Sequence, residues 1–435
     1  MKLELKNDEN YAATFVTLNK FQAIDGADNI KHAIINGRQI IVSASIEAGA
    51  TGVVFPIESQ ISAEFLWKNS LFSDPMKNEN QSKKSYFGDK GRVRCVSLRG
   101  AKSEGFFIEL AAFEKWANID PSEWSVVENG TLFDTINEKE ICRKYVVIVT
   151  ENGSGKNPSQ KKAKEVDRIL PDQYRLHYKT SHLAQSLHMV HPDDYIVISD
   201  KWHGTSLSCG RVLLKKNLSI FEKIKKFFFF PVETVQYENV YASRTVIKSL
   251  KSGKDSGFYK EDVWKLAFDS IKHALSDGIQ IYAEIVGYTE SGAMIQKNYD
   301  YGCGKGEFSV AVYRVTHTTP TGEVTEYSMQ EVVKFCKDNR INHVPIFYQG
   351  IAKNLFPDLD ITSEDDWRQE FYLKLKDSFN LEKKCKVCKN KVPAEGIVLR
   401  NDSKMTNALK LKAFSFLKME TKQLDDGEVD IESIG

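Results

Sequence analysis

The sequence has no apolar run long enough to cross a membrane, so an integral membrane protein is excluded. Its longest apolar stretch, residues 227–232, is far shorter than the roughly 20 residues of a spanning helix. The N-terminus, Met1-Lys2-Leu3-Glu4, lacks the apolar core of a secretory signal. We therefore expect a soluble, cytoplasmic protein with no membrane partner.

The chain also lacks a marked excess of charge of one sign and a framework of paired cysteines. Lysine and arginine number 60 against 59 aspartates and glutamates, so any nucleic-acid-binding surface must be a local patch.

The seven cysteines lack the spacing of a disulfide scaffold, which indicates a reducing compartment. Cys385-Lys-Val-Cys388 is a single Cys-x-x-Cys pair, and a structural zinc site needs about four ligands. Reduced thiols in a loop are the better interpretation, and a zinc site completed by His343 or another residue is the alternative.

Two common site motifs are missing. No Gly-x-x-x-x-Gly-Lys-[Ser/Thr] sequence occurs, so a nucleotide site in this chain is not a P-loop. The nine histidines form neither a His-x-x-x-His nor a His-Glu-x-x-His pattern, so metalloenzyme chemistry has no support.

Turn signals and composition predict two domains of unlike character. Residues 1–150 contain short candidate strands, among them 12–18 and 32–44, and two short helices, which predicts a small β-barrel. Residues 151–164 are rich in Gly, Ser, Asn and Lys and are typical of a linker. The predicted domains are therefore residues 1–160, which include the linker, and residues 161–435.

Residues 161–435 mix strands and helices, so the predicted fold class is α+β. Candidate strands include 195–199, 279–286, 308–315, 396–400 and 408–416, and Ser328 and Ser363 are candidate N-caps of two helices. The segment 222–230 joins Glu-Lys-Ile-Lys-Lys to four phenylalanines. It is compatible with a flap over a site, but we predict a helix packed in the core.

The hexapeptide Lys201-Trp202-His203-Gly204-Thr205-Ser206 is the first of an ordered set of motifs. A Lys-x-x-Gly turn alone is a weak signal. It gains weight from the motifs that come later in the chain, which are Ser243-Arg244, then Glu284 in residues 283–287, then Glu395 in residues 395–400, then Lys410-Leu411-Lys412. This order predicts covalent nucleotide transfer.

A lysine can act as the nucleophile of such a transfer only as a neutral amine. The pKa of Lys201 must therefore fall from about 10.4 through desolvation or nearby cations. Lys410 and Lys412 could supply those cations, since residues two apart on a strand face the same side. The same two lysines could hold the α-phosphate of a nucleoside triphosphate while Lys201 attacks it.

The other candidate residues each have an ordinary structural interpretation beside the functional one. Glu284 and Glu395 could bind ribose hydroxyls or metal-bound water, or could be common acids at strand ends. Arg244 could contact a phosphate or form a surface ion pair. Tyr313 could stack on a purine or pack in the core.

Together these residues resemble the covalent nucleotidyltransferase superfamily of ATP-dependent ligases and capping enzymes. The resemblance is closer to ATP-dependent RNA ligases that place an OB-fold module first. It rests on residues 201–206, 391–400 and 409–417 with the trailing Glu420-Thr-Lys, and residues 99–106 and 173–177 also resemble the family. It implies an OB-like N-terminal β-barrel and an ATP-grasp-like nucleotidyltransferase domain of antiparallel sheets plus helices.

The resemblance also implies a reaction and a set of roles. With Mg²⁺ or Mn²⁺, Lys201 would take AMP from ATP and pass it to a 5′-phosphate end, which a 3′-hydroxyl then attacks. The partner would be RNA or an RNA-containing nicked duplex, bound by a monomer. The implied contacts are His203 and Gly204 with the nucleotide, Glu284 with ribose, Tyr313 with adenine, Arg244 with a phosphate, Glu395 (and less firmly Glu284) with metal-bound water, and Lys410 and Lys412 with the α-phosphate.

One residue departs from the superfamily pattern, and other functions compete. His203 stands where many members have an aspartate, so metal placement near the lysine cannot rely on a carboxylate there. DNA ligases and capping guanylyltransferases usually carry the OB module after the catalytic domain, whereas only about 20 residues follow Lys412 here. A catalytically silent nucleic-acid-binding module would not be expected to keep Lys201, Lys410 and Lys412.

Overall fold

The structure, a computed structural model, describes residues 1–147, 166–248, 259, 261–379, 382, 384–402 and 407–428. The predicted linker and the predicted boundary near residue 160 lie outside the described residues.

Residues 1–147 form short strands around two helices. The helices are α1 (Ala63–Lys68) and α2 (Ala111–Ala117). The strands are β1 (Leu3–Glu4), β2 (Ala13–Leu18), β3 (Phe21–Ala23), β4 (Ile30–Ile35), β5 (Arg38–Ser43), β6 (Ala50–Pro56), β7 (Ser59–Ile61), β8 (Val96–Leu98), β9 (Ala101–Ser103), β10 (Gly105–Glu109), β11 (Leu132–Phe133), β12 (Thr135–Ile136), β13 (Lys139–Glu140) and β14 (Cys142–Lys144). Three 3₁₀ turns are Glu9–Tyr11, Pro75–Lys77 and Pro121–Val126.

The N-terminal strands pair in several small sheets. The largest has the order β10-β6-β2-β11, beside the three-stranded sheets β1-β12-β13 and β3-β4-β5. The prediction of a β-rich unit is confirmed. Over residues 1–147 these pairings do not join into a closed ring, so the predicted barrel is not confirmed. The strand predicted at 32–44 is a hairpin, because Asn36 and Gly37 both have positive φ and reverse the chain.

Residues 166–428 contain the remaining elements. The helices are α3 (Ile220–Phe227), α4 (Val263–Ile271), α5 (Met329–Asn339), α6 (Ala352–Leu355), α7 (Glu364–Ser378) and α8 (Phe414–Asp425), with 3₁₀ turns at Val166–Arg168, Leu187–Met189 and Lys272–Ala274. The strands are β15 (Ser181–His182), β16 (Tyr195–Lys201), β17 (Thr205–Lys215), β18 (Val235–Ala242), β19 (Ile247–Lys248), β20 (Ile279–Gly287), β21 (Phe308–Thr318), β22 (Val324–Glu326), β23 (Asn342–His343), β24 (Ile346–Ile351), β25 (Gly396–Asn401) and β26 (Asn407–Lys412).

Two sheets organise this part of the chain. One has the order β15-β26-β25-β16-β24, and the other β19-β18-β17-β20-β21-β22 with β23 beside β21. β16 is buried on both faces: Ile196 and Ile198 belong to one apolar cluster and Val197 to another, which explains its unbroken apolar run. Because β16 and β17 are in different sheets, residues 202–204 carry the chain from one sheet to the other. The α+β class is confirmed.

Helix α8 joins the two parts of the chain. The Arg92 guanidinium donates hydrogen bonds to the Thr421 carbonyl and to Asp425, both at 2.8 Å. The Thr421 hydroxyl donates to Glu58 Oε1 at 3.0 Å. The strand predicted at 408–416 is therefore wrong in its second half: β26 ends at Lys412, and the apolar residues after it form a helix that packs Phe414 against Ile57 and Cys95.

The helix predicted at 222–230 exists in part, but the core packing predicted for it is wrong. α3 lies in the connection between β17 and β18, and Phe221 and Phe227 are 77% and 76% exposed. Among the residues that the structure describes, none of the helices combines the length and apolar character needed to cross a bilayer.

Candidate active site

Strand register brings two of the predicted lysines together. Lys201 at the end of β16 pairs with Gly396 of β25, and Gly396 pairs on its other side with Lys412 of β26. Gly396 has φ +148°, and a Cβ atom there would lie 2.1 Å from the Leu411 carbonyl oxygen. Only glycine allows this close approach, so Gly396 sets the spacing of the three strands.

The Lys201 ammonium forms an ion pair with a predicted acid. Its Nζ lies 2.7 Å from Glu395 Oε1, with side chains 18% and 3% exposed respectively. Breaking a pair this buried would leave the Glu395 carboxylate without a compensating charge, so the carboxylate favours the charged form of the lysine. The ion pair therefore fixes the position of the Lys201 side chain.

Lys410 and Lys412 occupy the same cleft from one strand, as their spacing predicts. Lys412 Nζ donates to Glu420 Oε1 of α8 at 2.7 Å. Burial acts to lower the pKa of Lys412, but Glu420 and Glu395 outweigh it and raise that pKa above its ordinary value. Lys412 is therefore a permanent positive charge in the cleft.

The turn between β16 and β17 is held by hydrogen bonds on both of its faces. The Gly204 N–H donates to Glu284 Oε1 at 3.0 Å, and the Gly204 carbonyl accepts from Gln296 at 2.7 Å. A Cβ atom at Gly204 would lie 2.2 Å from the Ile285 carbonyl oxygen, so the turn requires glycine. Glu284 thus positions this turn as well as facing the cleft.

His203 is fixed in the same turn by aromatic side chains. Its backbone N–H donates to the Tyr301 hydroxyl at 2.6 Å, and its ring stands edge-on to Tyr299 and Phe416. His203 Nδ1 is 3.9 Å from Glu395 Oε2. The position that holds an aspartate in many superfamily members is here an imidazole beside a glutamate.

Tyr313 enters the cleft through a β-bulge. Tyr282 pairs with Arg314 and Ala283 with Val312, so Tyr313 is the extra residue of β21. Within the described part of the chain its buried hydroxyl has no hydrogen-bond partner, and its ring is edge-on to His177 at 5.8 Å. Burial, with the nearby Glu284 carboxylate, raises the pKa of Tyr313 well above its ordinary value, so the ring is neutral.

Burial also adjusts the charge of two neighbouring groups. It raises the pKa of Asp200, the neighbour of Lys201 in the chain, to about 7, and the Trp202 indole donates to that carboxyl at 3.0 Å. Burial, together with Lys410 and Lys412, depresses the pKa of His182 well below its ordinary value. His182 therefore adds no positive charge to the cleft, and Asp200 adds less than a full negative charge.

One cleft collects nearly all the predicted site residues. It is lined by Lys201, His203, Arg244, Glu284, Tyr313, Glu395, Lys410 and Lys412. Gly204 does not line the cleft, but its N–H binds Glu284, which does. The motif order along the chain therefore corresponds to one place in the fold.

Other residues of the cleft were given no role by the sequence analysis. Tyr11 and Lys144 come from the N-terminal part, and they also line an adjoining cavity that shares Lys410 and Lys412. Glu420, to which no motif assigns a role, is the partner of Lys412. Their roles could not be predicted from local patterns, because their contacts depend on tertiary packing.

The donor set fits a cation bound mainly through water and phosphate. Across the described residues no group of three or more His, Cys, Asp or Glu side chains could hold a metal ion. The same finding gives the zinc alternative no support, and Cys385 and Cys388 are free thiols. Two buried carboxylates of the cleft, Glu284 and Glu395, could hold Mg²⁺, an ion that keeps most of its waters in protein sites.

Comparisons with known proteins place this geometry in context. The fold is similar to solved structures of Naegleria gruberi RNA ligase. A mutant form with ATP and Mn is 16% identical with a TM-score of 0.55, covering 94% of this chain and 98% of that chain. A mutant form with AMP and Mn is 17% identical with a TM-score of 0.55, covering 95% and 99%. The form with PPi is 16% identical with a TM-score of 0.54, covering 94% and 98%.

A sequence comparison with curated proteins found no match. The family model described as RNA ligase matches residues 194–414, slightly more than half of the 435 residues. That range runs from just before β16 to the start of α8 and includes every predicted site residue. The chain belongs to the RNA ligase family.

Proposed function

We propose that this protein is an ATP-dependent RNA ligase that joins 3′-hydroxyl and 5′-phosphate ends through an AMP carried covalently by Lys201. The observation that carries the proposal is the register Lys201–Gly396–Lys412, which brings Lys201 and Lys412 into one cleft. The proposed domains are residues 1–160 and 161–435.

In the first step the neutral Lys201 amine attacks the α-phosphorus of ATP. An N–P bond forms while the bond from the α-phosphorus to the α,β-bridging oxygen breaks, and pyrophosphate leaves. The Lys201 nitrogen then releases one proton to water. Lys410 and Lys412 stabilise the charge that develops on the α-phosphate oxygens. The Naegleria gruberi ligase structures with ATP, AMP and PPi support a nucleotide site of this kind.

The Lys201–Glu395 ion pair must loosen before the attack, because an ammonium has no lone pair. A Mg²⁺ or Mn²⁺ ion held at Glu395 would supply positive charge that favours the neutral amine and neutralises phosphate charge. Glu395 would hold this ion with the phosphates, and Glu284 is the second, weaker candidate. The Naegleria structures with Mn support the use of a divalent cation.

Glu284 and Tyr313 are proposed to bind the nucleoside. Glu284 accepts the Gly204 N–H with one oxygen, which aligns its carboxylate toward the cleft where a ribose hydroxyl can donate to it. Tyr313 projects from its bulge as a neutral ring suited to stacking on adenine. Arg244 lines the same cleft and would contact a phosphate.

In the later steps AMP moves from Lys201 to the 5′-phosphate end, and the 3′-hydroxyl displaces AMP to form the phosphodiester bond. We propose that residues 1–160 act as an OB-like module that holds nicked, RNA-containing duplex. Support comes from Tyr11 and Lys144 at the edge of the cleft, where the activated end must lie.

The experiment separates the steps on a nicked duplex with an RNA 3′-hydroxyl end. Wild type should seal a 5′-phosphate nick with ATP, and also a pre-adenylylated nick without ATP. Lys201→Arg keeps the charge but has no neutral form near pH 7, so it should fail with the first substrate and seal the second in part. Lys334→Arg, on the exposed face of α5, should behave as wild type. Loss of both activities in folded Lys201→Arg would contradict the assigned role.

A further inference from the structure

Helix α3 presents an apolar face to solvent. Its residues 220, 221, 224 and 227 fall on one side at helical spacing, with Ile220 75% exposed and Ile224 49% exposed. Phe228, Phe229 and Phe230 extend this surface past the helix and are 62%, 97% and 62% exposed. Residues 220, 221, 224 and 227–230 are called the Phe face.

The backbone at the end of α3 holds a phenylalanine where glycine is usual. Phe229 has φ +59°, and the Phe230 N–H donates to the Lys225 carbonyl at 3.0 Å while the Phe229 N–H donates to Lys226 at 3.1 Å. This is a Schellman cap, whose left-handed position favours glycine because a Cβ is disfavoured there. A 97% exposed ring at that position adds little to the fold, which points to a use outside it.

Lysines surround the apolar face of this helix. Residues 215–231 contain five lysines and one acid, a net charge of +4. The acid is Glu222, which accepts from the Lys216 ammonium at 2.6 Å and from the Ser219 backbone N–H at 2.8 Å. Lys223 and Lys225 flank the apolar arc on its two sides, and Lys226 lies behind it.

We propose that the Phe face docks on the surface of an anionic lipid bilayer. A short helix with an aromatic and aliphatic face, flanked by lysines, is suited to the boundary between headgroups and acyl chains. The lysines would lie at the level of anionic headgroups while the phenylalanines enter the acyl region. Such contact requires no spanning helix, and the proposal departs from the expectation of no membrane partner in the sequence analysis.

The distribution of residues favours a bilayer over two other occupants. Single-stranded RNA is bound by aromatic rings that alternate with basic residues along a groove, whereas here the two kinds are on separate faces and isoleucines fill part of the apolar one. A second copy of the chain would bring two sets of lysines together, which disfavours it. The Phe face contributes no residue to the lining of the cleft, so substitutions on this face change no lining residue.

The test is co-sedimentation of the full chain with vesicles of equal parts phosphatidylcholine and phosphatidylserine. Binding should exceed that to pure phosphatidylcholine and should weaken with salt. Lys223→Gln/Lys225→Gln/Lys226→Gln should lower the partition coefficient about 100-fold, at about fivefold per lysine. Phe227→Ser/Phe228→Ser/Phe229→Ser should lower it at least about tenfold.

Two controls keep the result specific. Val126→Ser, at an 83% exposed apolar position elsewhere, should bind vesicles as wild type does. Phe229→Trp should show a blue-shifted indole emission on anionic vesicles, since the ring leaves water. Covalent labelling by ATP should be the same in all of these variants, so this proposal and the ligase proposal can fail separately.

Two kinds of outcome overturn the proposal. One is vesicle binding that is absent, or equal in wild type and the triple phenylalanine variant. The other is a triple variant that binds vesicles as before but loses single-stranded RNA binding or concentration-dependent self-association, which would assign the Phe face to RNA or to a second copy.

Discussion

Gly396→Ala should separate β25, which pairs with the strand of Lys201, from β26, which carries Lys412. The new Cβ would lie 2.1 Å from the Leu411 carbonyl oxygen and 2.9 Å from the Lys412 Cα, so β25 and β26 must move apart by about 1 Å. Strain at φ +148° and the overpacking together should cost about 2–4 kcal/mol of unfolding free energy. A displacement of about 1 Å at the reacting groups should slow covalent labelling by ATP about 100-fold.

Gly130→Ala is the matched control, since Gly130 also has positive φ but no atom lies within 4 Å of its Cβ position. It should cost about 1 kcal/mol in urea denaturation followed by circular dichroism, with labelling unchanged. If Gly396→Ala were as stable as the control and labelled at the wild-type rate, the register could not be what positions Lys412.

Three further predictions concern neighbouring groups. Burial, opposed by Arg92, raises the pKa of Glu58 from 4.5 to about 7. The stabilisation by the protonated Glu58 carboxyl is therefore complete below pH 4.5 and is lost as the pH rises through 7. Relative to Glu58→Gln, the wild-type unfolding free energy should fall by about 3 kcal/mol from pH 4.5 to 8 in denaturation series, and parallel curves would contradict this. Tyr313→Leu should raise the ATP concentration for half-maximal labelling about tenfold, whereas Tyr313→Phe should not, since the hydroxyl has no partner in the described residues. Glu420 helps raise the pKa of Lys412, so in Glu420→Gln the Lys412 ammonium should lose its proton at a lower pH. The loss of labelling at alkaline pH should therefore begin at a lower pH than in wild type. An unchanged pH profile would count against that coupling.

Local features of the fold could be predicted from sequence because they depend on near neighbours. Ser328 and Ser363 are confirmed as N-caps, each accepting a backbone N–H from the first turn of its helix. The spacing of Lys410 and Lys412 places both in the cleft, as alternation along a strand requires. The roles assigned to these lysines stay predictions.

Features that depend on distant contacts could not be predicted. The apolar residues after Lys412 fit a strand as well as a helix, and only their packing against residues 57 and 95 makes them part of α8. The apolar periodicity of α3 matches a core helix, yet its position outside both sheets leaves it exposed. Glu420 is eight residues from Lys412, and only the turn into α8 brings the two side chains together.

The assignment of Lys201 as the nucleophile is tested by locating the nucleotide on the chain. The protein is incubated with ATP and Mg²⁺, digested, and its peptides are sequenced by mass spectrometry, with Lys201→Arg in parallel. We expect one added AMP on Lys201 of the wild type and none on the variant. AMP on another residue, or equal labelling of Lys201→Arg, would contradict the assignment.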